Sequence, residues 1–482
     1  MASIKKNIIL NGINTVIGIL IPIVTFPYAA RVLMPEGIGV VNFLNSIIGY
    51  ITLFTFLGIP MYAIKEVAKY RDDKEARDTI TLEILTLSTI LCVFGYIAVW
   101  ALATFVPRIQ ADATLFYVLS LTIIFTDIGV GWFYQGIEDF KFITIRGTIV
   151  RLIAAIALFI FVRQPSDLLA YCFVIVGTTV GNNVINFVHL RKHIAFRAID
   201  FHSLKIRHHI APAFQVFVLN LIISLYVQLN TIMLGFISGD AEVGYFTAGS
   251  KISHIGLMLL TSVGGVLMPR CANLIKKGET EEFASVIRKT LNFMLLFSLP
   301  IAAGLIVLAT PVTMIFCGNE FAPAIPVLWL NAPVIVFISL TNIMGIQVLY
   351  PMDKTAIVIW STVGAAVVNI IFNLILIPPF GAVGASASTL LAEFAILIIQ
   401  AIIGRKYYPF KPSELFNGQM ILASIVMVAA VWFAVKYLHS YTVQLAIGIP
   451  LGAIVYFAVL GLVKNPTAKA FLQMARGMIP HK

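Results

Sequence analysis

The feature that most constrains this sequence is a succession of apolar runs, each about 20 residues long. A helix of that length spans the hydrocarbon core of a bilayer, where every backbone polar group must be satisfied internally. Hydrophobic residues make up 60% of the chain and charged residues 11%, against about 45–50% and about 25% in soluble domains. We therefore predict an all-α polytopic membrane protein with about 14 transmembrane helices. The predicted spans are 8–30, 38–62, 79–105, 114–136, 148–162, 168–190, 210–234, 244–267, 290–316, 325–349, 355–377, 384–403, 419–438 and 443–462.

The loops on the two sides of these spans differ strongly in positive charge. The side that holds the N-terminus carries 28 of the 33 lysine and arginine residues, whereas the opposite side carries Arg31, Arg108, Arg163 and Lys436. Because cytoplasmic loops are enriched in lysine and arginine, we expect both termini to lie in the cytoplasm. The net charge of +11 follows from this asymmetry, and nucleic acid is not expected as a partner.

The two longest polar segments are the inner loops 190–209 and 268–290, and neither is long enough to fold as a soluble domain. Whatever the protein does must therefore happen among its helices. The first loop divides the chain into two groups of six helices with two more at the end, which is typical of transporters built from repeats. The predicted divisions are an N-terminal lobe at 1–190, a basic cytoplasmic linker at 191–209, a C-terminal lobe at 210–403, and a terminal helix pair with a cytoplasmic tail at 404–482.

The evidence for an internal repeat is weak in the sequence itself. A shift of 205 residues aligns three pairs: Gly39 with Gly244, Ile38 with Val243, and Asn42 with Thr247. Chance also produces matches of this size.

Four predicted helices carry polar residues at intervals of three or four, which places those residues on one face of each helix. Hydrogen bonding between helices accounts for many such stripes in membrane bundles. Here the stripes occupy matching positions in both halves of the chain, which favours a shared hydrated cavity. Breaks in a helix often line transport sites, and Pro22 and Pro27 are expected to bend the first helix. The stripes are Asn7, Asn11, Asn14, Thr15, Gly18 and Thr25; Asn42, Asn45, Gly49 and Thr52; Asn220, Ser224, Gln228 and Thr231; and Thr247, Ser250, Lys251 and His254.

Lys251 is the most deeply placed cation within a predicted span. It lies seven residues past Gly244, roughly 10 Å into the helix at ~1.5 Å per residue. A lysine in hydrocarbon costs about 2.5–3.5 kcal/mol, so it normally faces a cavity, a partner or a substrate. His254 lies on the same helix face, although a lone histidine is often simply a satisfied hydrogen-bonding residue.

Two carboxylates lie near the middle of predicted spans, Asp127 in the fourth and Glu393 in the twelfth. Each can form a structural ion pair with Lys251 or couple transport to an ion. Arg31 lies at the outer end of the first span and Glu83 near the inner end of the third. Charged side chains at such positions commonly extend to the interface.

Enzyme motifs are not evident in this sequence. It contains neither a GxxxxGK[ST] phosphate loop nor an HExxH metal pair. The four cysteines, Cys92, Cys172, Cys271 and Cys317, are scattered without a CxxC pair, so neither a disulfide framework nor a metal site is expected. We expect no catalytic residue, no metal and no cofactor.

Five stretches carry a resemblance that extends over nearly the whole chain. They are RVLMPEGIGVVNF at 31–43, GWFYQGIEDFKFITIRG at 131–147, EVGYFTAGSKI at 242–252, VLMPR at 266–270 and PPFGAVGASAS at 378–388. With these stretches the chain resembles a Wzx-type polysaccharide repeat-unit flippase, a branch of the multidrug/oligosaccharidyl-lipid/polysaccharide exporter superfamily. The stretch 131–147 is the most specific to the polysaccharide branch, and 31–43 and 242–252 are shared more widely.

This resemblance implies two six-helix lobes in a V-shaped arrangement around a central cavity, with a C-terminal helix pair. It implies a location in the bacterial inner membrane and transport by alternating access. The substrate would be an undecaprenyl-pyrophosphate-linked oligosaccharide of O-antigen, capsule or exopolysaccharide, moved from the inner to the outer leaflet. The other expected partners are membrane lipids, a polysaccharide polymerase and glycosyltransferases, and the chain is expected to act as a monomer.

The predicted site residues follow from the chemistry of that substrate. A pyrophosphate needs fixed positive charge, because unpaired charge is costly in a low dielectric. Lysine binds phosphate as a point charge and arginine as a fork, so Lys251 and Arg31 are the head-group candidates. The other predicted substrate-binding residues are His254, Asn14, Asn42, Asn45, Asn220, Gln228 and Thr247.

One departure from the superfamily pattern bears on ion coupling. Multidrug members often carry an acidic cation-coupling residue in the first helix, and this first helix has none. Its absence weakens a drug-efflux interpretation and leaves coupling to Na⁺ or H⁺ unassigned. Asp127 and Glu393 are the candidates for ion coupling or ion pairing.

Two other functions stay open at this point. A multidrug or cation antiporter of the same superfamily would depend on Asp127 or Glu393 but not on Lys251. A membrane enzyme such as a polysaccharide polymerase would be expected to have a large outer loop or a cluster of metal-binding carboxylates, and neither is evident.

Overall fold

The computed structural model describes residues 4–194 and 204–477, with side chains except at 4–16, 19, 219–220, 222–227, 259, 261–266, 412 and 474–477. Across those ranges the regular structure is helical, without strands, and an all-α membrane fold is confirmed. The helices are α1 Ile4–Phe56, α2 Ile59–Lys69, α3 Lys74–Phe105, α4 Pro107–Gln110, α5 Ala113–Gly129, α6 Gly131–Gly136, α7 Phe140–Phe161, α8 Leu168–Leu190, α9 Ile210–Ile237, α10 Asp240–Lys277, α11 Thr280–Val307, α12 Ala309–Phe316, α13 Ala324–Asn342, α14 Thr355–Ile403, α15 Gly418–Val435, α16 Tyr441–Leu462 and α17 Pro466–Gly477. A π-helical turn, Ile343–Leu349, continues α13.

The predicted count of membrane crossings agrees with these helices. Nine of the described helical segments are long and apolar enough to cross a membrane by length and composition. α14 contains two predicted spans, and α1 contains one and most of a second, which ends in α2. The other predicted spans fall, in order, on α3, α5, α7, α8, α9, α10, α11, α13, α15 and α16. The chain is therefore a multi-pass membrane protein whose helices accommodate about 14 crossings.

α1 and α14 each contain a residue whose backbone leaves the helical range. In α1 this residue is Met34 (φ 63°, ψ 171°), immediately before Pro35. Proline disfavours helical geometry at the residue that precedes it. The break therefore lies at Met34, whereas Pro22 and Pro27 lie within the helical stretch before it, and the bend expected at them stays a prediction. In α14 the corresponding residue is Gly381 (φ 51°, ψ −127°), which follows a pair of prolines.

The predicted inner loop 268–290 is wrong, because most of this segment is helical. α10 continues to Lys277, and α11 begins at Thr280 after a turn at Gly278 (φ 74°). Basic residues end α10 and acidic residues begin α11, which is the arrangement that the helix dipole favours. Hydropathy cannot distinguish such a polar helix end from a loop. α7 likewise begins at Phe140, eight residues before the predicted span.

The chain forms two compact units, residues 1–244 and 245–482, so α10 begins in the first unit and continues in the second. The division into lobes at 1–190 and 210–403 stays a prediction. One core cluster of unit 1 joins α2, α3 and α6 through Ile59, Val67, Ile84, Phe133 and Tyr134. The core of unit 2 joins α11, α15 and α16 through Leu291, Leu295, Met427, Val431 and Tyr456.

Two close contacts in unit 1 involve residues that the 205-residue shift of the sequence pairs with one another. A Cβ atom at Gly39 would overlap the carbonyl oxygen of Asp240, and a Cβ atom at Gly244 would overlap the carbonyl oxygen of Pro35. Residues 35 and 240, and residues 39 and 244, are each separated by the 205 residues of the sequence shift. The two contacts therefore exchange under that shift, which supports an internal repeat.

The backbone just before these contacts repeats as well. Met34 has a positive φ of 63°, and Gly239, 205 residues later, has a positive φ of 91°. Positive φ is uncommon for residues other than glycine, so its occurrence at both aligned positions is informative. A left-handed residue thus introduces each of the two contacting segments.

Candidate functional site

The polar stripe in the second half of α1 is ordered by hydrogen bonds to its own helix. The side-chain amide of Asn42 donates to the carbonyl of Ile38 (2.7 Å), and the hydroxyl of Ser46 donates to that of Asn42 (2.8 Å). Asn45, on the same stretch of helix, is exposed. Such bonds to a carbonyl one turn back fix the side-chain rotamer. The stripe therefore presents oriented polar groups along an otherwise apolar helix.

α9 contributes Gln228 to the surroundings of this stripe. A Cβ atom at Gly49 of α1 would overlap the side-chain oxygen of Gln228, so the amide fits against a surface that lacks a side chain. Asn42, Asn45 and Gln228 therefore lie on two packed helices of unit 1. The side chains of Asn14 and Asn220 lie outside the described residues, and their predicted roles stay predictions.

α10 carries the predicted cation on one face and packing contacts on another. Lys251 and His254 are exposed, whereas Thr247, one turn earlier, is buried. On the packed side, the side-chain amide of Asn331 in α13 donates to the hydroxyl of Ser250 (3.3 Å). Lys251 and His254 therefore lie on an exposed face of α10. Thr247 does not contribute to that exposed face.

The two predicted membrane acids are both buried. Asp127 of α5 accepts hydrogen bonds from the hydroxyls of Ser88 and of Thr89, the second at 2.8 Å, both in α3. Its carboxylate is therefore held by hydroxyl donors within unit 1. Glu393, in the second half of α14, is 3% exposed. Their predicted part in ion coupling or ion pairing stays a prediction.

Arg31 and Arg108 lie in the part of unit 1 predicted to face outward. Arg31 is exposed and precedes the break in α1 by three residues. Arg108 forms an ion pair with Asp240 at the start of α10, and its guanidinium carbon lies 5.0 Å from the ring centroid of Phe43. Arg108 therefore ties the α4 segment to α10 and α1. Sequence reasoning had treated it only as an outer loop charge.

A buried carboxylate–histidine–tyrosine cluster was missed by the sequence analysis. Glu83 of α3 lies 2.9 Å from the Nε2 atom of His209, and its other oxygen accepts the backbone N–H of Lys205 (2.6 Å). The hydroxyl of Tyr62 lies 2.7 Å from Nδ1 of His209. Glu83 is 7% exposed, so the expectation that it extends to the interface is wrong. The buried carboxylate is tolerated because hydrogen-bond partners satisfy both of its oxygens.

We expect Glu83→Ala to lower the apparent Tm of the detergent-solubilised protein clearly. It would leave the buried side chain of His209 without its acceptor, at about 1–3 kcal/mol, and would also remove the acceptor of the part-buried backbone N–H of Lys205. The matched control is Glu66→Ala, which removes the ion pair with exposed Lys69 (2.7 Å). Exposed pairs contribute about 0–1 kcal/mol, so this variant should unfold near the wild-type temperature. Equal unfolding of the two variants would contradict a stabilising role for the cluster.

A second missed group is a set of buried amides and hydroxyls in α14. Asn373 donates to the side-chain oxygen of Asn369 (3.0 Å), and Gln400 donates to the hydroxyl of Ser361 (3.1 Å). The sequence held a signal for part of it, because Asn369 and Asn373 are four residues apart on one helix face. The Gln400–Ser361 bond joins the two parts of α14 across the break at Gly381, whereas the Asn373–Asn369 bond lies within the first part.

The sequence is similar to a family profile and to known proteins. The profile described as "Polysaccharide biosynthesis protein" matches residues 4–275. A putative O-antigen transporter of Escherichia coli K12 is 25% identical over 407 residues, which cover 84% of this chain and 97% of that protein. A probable low-salt glycan biosynthesis flippase of Haloferax volcanii is 26% identical over 253 residues, covering 52% and 53% of the two chains.

Solved structures show the same fold. The inward closed conformation of the lipid II flippase MurJ superposes with a TM-score of 0.74 at 15% identity, over 95% of this chain and 98% of that one. An inward-facing multidrug transporter of the MATE family superposes with a TM-score of 0.65 at 16% identity, over 82% and 94% of the two chains. With more than half of its residues matched by the profile, this chain belongs to the polysaccharide biosynthesis protein family.

Proposed function

We propose that this chain is a flippase for lipid-linked oligosaccharide repeat units. The substrate is a polyprenyl-pyrophosphate carrier with its attached oligosaccharide, moved from the inner to the outer leaflet of a bacterial inner membrane. Relatives named as O-antigen transporters and as a glycan biosynthesis flippase support this class. The observation that carries the proposal is an exposed lysine, Lys251, within an apolar helix whose other side is packed.

The chemistry of the substrate fits the two kinds of polar surface. A pyrophosphate carries concentrated negative charge, and the exposed residue Lys251 carries an ammonium group of opposite charge. Sugar hydroxyls both donate and accept hydrogen bonds, and the side chains of Asn42, Asn45 and Gln228 do the same. None of these groups has to change covalently. The proposed activity is therefore binding and translocation. In this proposal the protein is a transporter and not an enzyme.

Alternating access requires that the binding groups be offered to one leaflet at a time. We assign the head group to Lys251 with His254 beside it, and Arg31 to the outer end of the path. In this proposal the prenyl chain stays in the bilayer, both termini face the cytoplasm, and the chain acts as a monomer beside a polymerase and glycosyltransferases. Coupling to Na⁺ or H⁺ falls to Glu393 or Asp127.

Leaflet analysis of a deletion strain tests the proposal. We expect cells without this protein to accumulate lipid-linked repeat units that an enzyme added to spheroplasts cannot reach, because the units stay in the inner leaflet. Plasmid-borne wild-type protein should restore their accessibility. Normal accessibility in the deletion strain would contradict the proposal. Accumulation of accessible, unpolymerised units would instead indicate a polymerase.

A further inference from the structure

An apolar groove lies between α7 and α8 of unit 1, two helices that carry none of the proposed substrate-binding residues. Its volume is about 530 Å³, and each residue that lines it is apolar. This volume is within the range of about 300–1,000 Å³ typical of ligand sites. Ile153, Phe161 and Phe173 on its walls are more than half exposed, so the groove opens towards the surrounding lipid.

Small residues make the floor of the groove. Ala154 and Ala157 line it from α7, and Ala170, Gly177 and Gly181 line it from α8. A Cβ atom at Gly177 would have no heavy atom within 4 Å. The space at the Cβ position of Gly177 is therefore open, and a larger side chain there would extend from a residue that lines the groove.

Beyond the apolar lining, at the end towards the start of α7, the two helices carry the polar side chains of Arg146 and Asn182. Arg146 lies one helical turn before Val150, a lining residue, and so on the same face. Its Nε donates to the side-chain oxygen of Asn182 (3.0 Å), next to Gly181 in the groove floor. Among the described residues, the Nη1 atom of Arg146 is buried without an acceptor. An arginine so placed has donor capacity that the protein itself leaves unused.

Aromatic rings pack next to Arg146, on its side away from the apolar groove lining. The guanidinium carbon of Arg146 lies 5.4 Å from the ring centroid of Phe142, and Phe142 stacks on His189 at 4.2 Å. The Nδ1 atom of His189 is also buried without a hydrogen-bond partner in the described structure. His193 follows in the next turn, where burial, then His189 and Arg77, lower its pKa below the ordinary value. A neutral His193 adds no positive charge to this end.

The charge around this end is mainly positive. Lys141, Arg191 and Lys192 are exposed there, at the start of α7 and the end of α8. The nearby carboxylates are already engaged: Asp139 accepts the backbone N–H of Phe142 (3.2 Å), and Glu138 pairs with Arg71 (3.0 Å). An anionic group would therefore be attracted to this end, and a cationic head group repelled.

We propose that this groove is a binding site for an anionic phospholipid. An acyl chain occupies the apolar trough, and the phosphate accepts hydrogen bonds from Arg146 with support from Lys141, Arg191 and Lys192. Arginine binds phosphate through charge-assisted hydrogen bonds, and basic pockets between membrane helices select anionic lipid head groups. Phosphatidylcholine has the same hydrocarbon but brings a quaternary ammonium to a basic rim. Head-group selectivity is therefore the signature of this site.

Lipid retention by the whole detergent-solubilised protein, measured by native mass spectrometry, tests the site. We expect phosphatidylglycerol to be retained in preference to phosphatidylcholine. Arg146→Gln should weaken retention by about tenfold or more, because a hydrogen bond to a charged group contributes about 1.5–3 kcal/mol. Gly177→Leu should weaken it by blocking the trough while leaving Arg146 and Asn182 intact. Loss in this second variant therefore does not depend on a disturbed arginine.

Two matched controls are available in unit 2. Gly304→Leu adds the same side chain where a Cβ atom also has no neighbour within 4 Å, and Lys436→Gln removes a cation stacked on Trp432 (4.8 Å). Both should keep wild-type retention. Equal retention of the two phospholipids, or unchanged retention in Gly177→Leu, would overturn the proposal. Displacement of phosphatidylglycerol by equimolar polyprenyl phosphate would also overturn it, by making the transport carrier the occupant. None of these readouts depends on transport.

Discussion

Lys251→Ala is expected to reduce export of lipid-linked repeat units by about tenfold or more, with the protein still made and inserted. The reason is that a hydrogen bond to a charged group contributes about 1.5–3 kcal/mol, and 1.4 kcal/mol is a factor of ten. Lys251→Arg keeps the charge and should retain part of the activity. The measurement is surface polysaccharide in a deletion strain complemented with each variant, normalised to the amount of protein in the membrane.

The control for this experiment is Lys436→Ala, which removes a lysine stacked on Trp432 at the end of α15. It should complement fully. Normal export by Lys251→Ala would remove the head-group role. If Lys251→Ala fails but is rescued by adding Glu393→Gln, the lysine serves a structural ion pair. Asp127 is a weaker candidate for that pair, because hydroxyls of α3 already bind its carboxylate.

Gly39→Ala and Gly244→Ala are expected to prevent correct assembly of the protein. In both cases the added Cβ atom would overlap a backbone carbonyl oxygen, and backbone cannot move aside as a flexible side chain can. Overpacking typically costs about 1–3 kcal/mol and sometimes more, and we expect these positions to exceed that range. The measurement is the yield of monodisperse protein in detergent and its apparent Tm.

Alanine substitutions at two other glycines should have smaller effects on yield and Tm. Gly177→Ala adds a Cβ atom in open space and should be nearly neutral. Gly49→Ala meets the side chain of Gln228, which can rotate, so its effect should be intermediate. Because the Gly39 and Gly244 contacts exchange under the same 205-residue shift, the two variants should fail to a similar degree. Wild-type yield and Tm for either variant would contradict the close approach.

The membrane-crossing helices could be predicted because hydropathy depends only on local composition. Positions where helices break or extend past the predicted spans could not, since they depend on single residues and on polar helix ends. Met34 is the clearest example: the chain breaks there before Pro35, although two earlier prolines gave the stronger signal. The helical extension of α10 to Lys277 was hidden by its charged residues.

Part of the candidate site could also be predicted from the sequence, and part could not. Lys251 could be singled out from sequence because an ammonium group in an apolar helix is costly wherever the helix packs. Its exposure, and the burial of Thr247 one turn away, required the packing of α10 on α13. The cluster of Glu83, His209 and Tyr62 joins residues up to 147 positions apart. No local pattern predicts such a pairing.

The reciprocal contacts of Gly39 with Asp240 and of Gly244 with Pro35 also describe a symmetry. When residue i of one copy meets residue j of another, and j meets i in return, the interface is isologous and contains a twofold axis. Both contacts lie within unit 1, and they have the pattern that a duplicated segment makes with its own copy. Divergence since such a duplication would have left the cation Lys251 in one copy and Ser46, 205 residues earlier, in the other.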